Sequence, residues 1–100
     1  MHVTPGDWRI TAVQEADRSV ASFREAHETS RDPAGILAAY WRAYRAAEAA
    51  LGAMVESELS GGMTIADVRA ACDISGAEDE TRLERAREIG ADRLRARLHG

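Results

Sequence analysis

The sequence contains no lysine and no asparagine, and only one cysteine, two prolines and one phenylalanine among its 100 residues. Each scarcity closes a class of explanation. With Cys72 alone, neither an internal disulfide nor a thiolate metal cluster can form. No apolar run approaches the ~20 residues that a membrane-spanning helix needs. The opening residues Met1 to Asp7 lack the basic-then-apolar order of a secretory signal, so the expected compartment is the cytoplasm, with no membrane partner. Gly-rich phosphate loops, paired-carboxylate metal boxes and Ser/His/Asp constellations are missing as well, which leaves no reaction, metal or cofactor to name.

What is there is apolar and charged in ordinary proportion: 45% hydrophobic and 30% charged residues, in one domain's length. Much of the hydrophobic share is alanine, which buries little area per residue. A core built this way is thin, and its helices tend to seek a partner subunit. All thirteen basic residues are arginine. Arginine favours forked pairing with carboxylates, but lysine-free, alanine-rich usage is also what the GC-rich genome of a high-GC bacterium produces. The net charge of −4 argues against a broad electrostatic footprint for nucleic acid.

Capping signals divide the chain into four helices, expected at about 5–29, 33–60, 65–72 and 76–98. Thr4-Pro5-Gly6-Asp7 supplies a cap, a proline for the first helical position and a first-turn carboxylate. Ser30-Arg31-Asp32-Pro33 breaks and restarts the chain, and Gly61-Gly62 stops the second helix. Thr64 with Asp67, and Ser75 with Glu78, have the spacing of reciprocal capping boxes. No strand signal and no repeat competes with this reading.

The apolar periodicity puts Trp8, Ala12, Ala16, Val20, Phe23 and His27 on the inner stripe of the first helix. On the second it selects Leu37, Tyr40, Trp41, Tyr44, Ala47, Leu51, Val55 and Leu59, and on the last Leu83, Ala86, Gly90, Leu94 and Leu98. An antiparallel hairpin of the first two helices would set Phe23 against Tyr40 and Trp41, Val20 against Tyr44, Ala16 against Glu48 and Trp8 near Val55. The second helix would approach ~40 Å, longer than a compact domain of this size is wide. Part of it must protrude or meet another chain.

Few residues stand out chemically. Glu48 falls on the apolar stripe between Tyr44 and Leu51, where desolvation would raise its pKa and suit it to general acid or base work. Beside Trp41 and Tyr44 it could serve a small enzyme or ligand binder; an ion pair with an arginine is the plainer role. The aromatic cluster of Phe23, Tyr40, Trp41 and Tyr44 suits an interface or a flat ligand. His27 reads as a cap on the hairpin end, and Cys72 as a small buried apolar residue.

Met63 to Leu83, a short helix, a tight turn and a longer helix, resembles the helix-turn-helix of small high-GC bacterial regulators. The resemblance rests on Thr64-Ile65-Ala66-Asp67-Val68 and Cys72-Asp73-Ile74-Ser75, a fifth of the chain. It implies DNA contact by the last helix, through Arg82, Arg85 and Arg93. Three departures work against it. Asp73 stands where the turn prefers glycine, Asp79 and Arg82 occupy positions that should face inward, and Glu78, Asp79 and Glu80 would repel phosphates. The Trp-x-Gly turn of secreted helical hairpins is absent, since Trp41 is followed by Arg42 and Ala43.

The expectation is therefore an all-α fold: a long antiparallel hairpin, a short helix and a long C-terminal helix, assembled as a homodimer. Its expected role is non-enzymatic helix-to-helix association with itself or another protein. Phe23, Tyr40, Trp41, Tyr44, Glu48, Leu51 and Val55 are the candidate interface or ligand residues. Transcriptional regulation and ligand chemistry at Glu48 are the alternatives.

Overall fold

The computed structural model describes residues 2–29 and 31–100. Ser30, part of the expected break between the first two helices, lies outside them. Four helices form: α1 (Pro5–Glu28), α2 (Pro33–Ser60), α3 (Ile65–Ala71) and α4 (Gly76–His99), with no strand among the described residues. Their starts follow the local chemistry. The Thr4 hydroxyl accepts from the Asp7 backbone N–H while the Asp7 carboxylate accepts from Thr4, and Thr64 and Asp67 repeat the arrangement. The Thr4 backbone N–H, chiefly, holds the Asp7 carboxyl below its ordinary value of 3.8; desolvation opposes it, and the Thr4 hydroxyl and Arg97 add weaker lowering effects. Ser75 departs from expectation: its side chain makes no capping bond, and the Asp79 carboxylate accepts from its backbone N–H instead. Asp73, in the turn before α4, has φ +52°, the left-handed region where glycine is at ease.

α2 is the central element, packed against both α1 and α4. Along the α1–α2 seam, Ser57 donates to the Pro5 carbonyl, Ser19 to the Ala43 carbonyl at 2.8 Å, and Phe23 meets Tyr40. Numbers rise along one helix as they fall along the other, so the two run in opposite directions.

The buried residues of α1 and α2 correct the periodicity reading. On α1 the buried positions are Thr11, Ala12, Glu15, Ser19 and Ala26, whereas Ala16, Val20, Phe23 and His27 are exposed. On α2 they are Ala39, Ala43, Ala46, Ala49, Gly52, Ala53, Val55 and Ser57, whereas Leu37, Tyr40, Trp41, Tyr44, Ala47 and Leu51 are exposed. The physical reason is backbone distance. Small side chains let two helix axes come close, which gains dispersion along their whole length, while the large ones are displaced to the flanks.

The approach is tightest where α4 crosses α2. A Cβ on Gly52 would overlap the Ala86 carbonyl oxygen, and one on Gly90 would lie 2.5 Å from the Ala53 nitrogen. Larger apolar residues are buried at the far end of α2, where Val55, Val68 and Leu83 pack with Leu59, Ile65 and Ile74. The result is flat, with Cα extents of 45 × 35 × 16 Å.

Candidate functional site

Two neighbouring features share Trp41. The first is the outer face of α2. Leu37, Trp41, Tyr44 and Leu51 are 71, 60, 54 and 47% exposed, and helical spacing places them along one side. Trp41 stacks on Tyr44 with ring centroids 5.7 Å apart, and Phe23 meets Tyr40 edge-on at 5.1 Å. The Tyr40 hydroxyl lies 2.7 Å from His27 Nε2, which occupies the end of α1. Leu37, Tyr40, Trp41 and Tyr44, with Arg85 from α4, line a groove of about 490 Å³. These bonds hold the aromatic rings in place without burying them.

The second feature is a cavity of about 680 Å³ where α1, α2 and α4 meet. Arg18, Arg42, Arg45 and Arg93 line it, with Glu15 and Trp41. The Glu15 side chain is only 3% exposed and pairs with Arg18 at 3.0 Å and Arg93 at 3.2 Å. A buried carboxylate needs such partners to offset lost hydration. Arg42 reaches Glu25 at 3.0 Å, and Arg45 lies 4.0 Å from Glu48 and 5.7 Å from the Trp41 ring centroid.

The sequence candidates fall in different places. Phe23, Tyr40, Trp41, Tyr44 and Leu51 lie on exposed surface. Val55 does not: it is buried against Val68 and Leu83 and so takes no part in the exposed row. The Glu48 side chain is mostly buried, its Oε1 without a hydrogen bond among the described residues, and it lines neither the groove nor the cavity. Cys72, expected to be buried, is exposed.

The helix-turn-helix candidates separate too. Arg82 pairs with Glu78 at 2.7 Å and lies near Asp79, Arg93 turns toward Glu15 and the cavity, and Arg85 borders the aromatic groove. No group of three metal-ligating side chains occurs among the described residues. No helix among them is long and apolar enough to cross a membrane.

Sequence reasoning missed the arginine-lined cavity. One signal was available: Glu15 and Ser19 continue the small-residue face of α1 and so point at α2. The pairing of Arg93 with Glu15 across the fold has no local trace. None of the protein families, curated proteins or solved structures compared with the chain matches it.

Proposed function

We propose that the chain is a helix-to-helix association module whose outer α2 face receives a second copy of itself. The observation that carries this reading is the area left open. The accessible surface is 6487 Å², against about 5,600 Å² for a compact monomer of this mass. The excess, roughly 900 Å², is close to the ~800 Å² that each partner contributes to a standard interface. The radius of gyration points the same way, at 14.8 Å against about 12.7 Å for a compact chain of this length.

A second copy suits the face because a twofold interface is self-complementary, and a row of Leu37, Trp41, Tyr44 and Leu51 can lie against itself. Trp and Tyr are the side chains that dominate such contacts. Arg85 and Arg42 flank the row as polar rim.

Light scattering across a concentration series tests the proposal. A dimer is expected for the native chain, and Trp41→Ala should weaken it by about 2 kcal/mol, some thirtyfold in dissociation constant. Because Trp41 is exposed, the same substitution should shift the folding stability of the protomer by less than ~0.5 kcal/mol. A native chain that stays monomeric at the highest concentration would sink the proposal.

A further inference from the structure

The thirteen arginines are not used alike. Arg69, Arg82, Arg87, Arg95 and Arg97 each donate hydrogen bonds to a neighbouring acceptor. Arg18, Arg42, Arg45 and Arg93, the four around the cavity, have acidic neighbours within 4.0 Å but donate no aligned hydrogen bond among the described residues. Each guanidinium carries five N–H donors in a rigid fork. The cavity is therefore ringed by donors held in place by charge and not saturated by it.

Glu15 sets this arrangement. It is buried, its two oxygens face Arg18 and Arg93, and Oε1 has no hydrogen bond of its own. One carboxylate shared between two guanidiniums leaves a unit of positive charge uncompensated. Glu25 and Glu48, which neighbour Arg42 and Arg45, are not part of the cavity lining. In a chain of net charge −4, four arginines and a single carboxylate facing one cavity is a local reversal of sign. Trp41 adds an apolar wall, and about 680 Å³ is room for a small organic ligand.

We infer that this cavity binds a small phosphate monoester: its phosphoryl oxygens accept from Arg18, Arg45 and Arg93, and its organic body lies against Trp41. Phosphate suits the site because it presents several acceptors to converging forks, which arginine meets two at a time. Glu15 acts as a positioning residue, holding Arg18 and Arg93 at the cavity wall that all three share. No reaction is implied.

Calorimetric titration with phenyl phosphate at low salt tests the inference, with inorganic phosphate and phenol as the two halves of the probe. Saturable binding of phenyl phosphate, tighter than that of either half, is expected. Arg18→Gln and Arg45→Gln should each weaken it about tenfold, the worth of one charge-assisted hydrogen bond. Arg82→Gln, on a distant exposed pair, should leave it unchanged. Circular dichroism confirms that each variant is folded before its titration counts. No saturable binding by millimolar phenyl phosphate overturns the inference. Equal binding of phenol, or equal losses from Arg82→Gln and Arg18→Gln, does so too.

Discussion

The two sides of α2 are made by opposite rules. On the inner side, Ala39, Ala43, Ala46, Ala49, Gly52 and Ala53 are buried although none has much side chain to bury. On the outer side Leu37, Trp41, Tyr44 and Leu51 are exposed although each would gain far more by burial. Side-chain hydrophobicity alone would assign the faces the other way round. Instead, the seam shows backbone proximity deciding: at Gly52 and Gly90 the helices touch main chain to main chain. A face of large residues cannot come that close, so it stays available for another surface.

The contrast can be broken most severely at its tightest point. Gly52→Val would force side-chain carbons into the Ala86 carbonyl, and a loss of about 4 kcal/mol or more is expected in chemical denaturation. Valine tolerated at native stability would mean that the crossing is loose. Leu83→Ala probes the corner where burial does follow side-chain size. A loss of about 2–3 kcal/mol should appear as a lower denaturation midpoint with unchanged slope.

The smallest effect concerns the start of α1. The folded carboxyl of Asp7 titrates below its ordinary value of 3.8, so the stability it contributes is fully present above that value. It is lost as pH falls from there through the lowered folded pKa. Asp7→Asn should therefore flatten the acid limb of a stability-against-pH curve below about pH 4, leaving the curve's shape at neutral pH unchanged. An acid limb identical to the native one would show that this link contributes nothing.

How much could be read from the residues follows from the same contrast. Helix ends were legible because caps are local: Thr4 with Asp7 and Thr64 with Asp67 act within one turn. Ser75 misled because two acceptors compete there, and Asp79, one residue beyond the box position, reaches the backbone N–H first. Facing was misread because periodicity gives weight to large residues. Val20 and Phe23 drew the inner stripe of α1 away from Thr11, Glu15 and Ser19, whose polar groups hid a buried face. Ser19 is satisfied by the Ala43 carbonyl, and Glu15 is charge-paired with arginines from α1 and α4. The Ala43 carbonyl and Arg93 reach these residues only once the helices are assembled, and the cavity beside Trp41 depends on the same assembly.

Arg97 has one further consequence. Its guanidinium donates to the Asp7 carbonyl and the Thr11 hydroxyl, both at 3.0 Å, so the last turn of α4 is fastened to the first turns of α1. The four helices thus close into a ring whose join, between α4 and α1, is non-covalent. A covalent linker from the end of α4 to the start of α1 would take over that join at little cost in loop-closure entropy, because Arg97 already holds those turns together. The opening could then move to the exposed Gly61-Gly62 turn, giving a circularly permuted chain in which every helix remains whole.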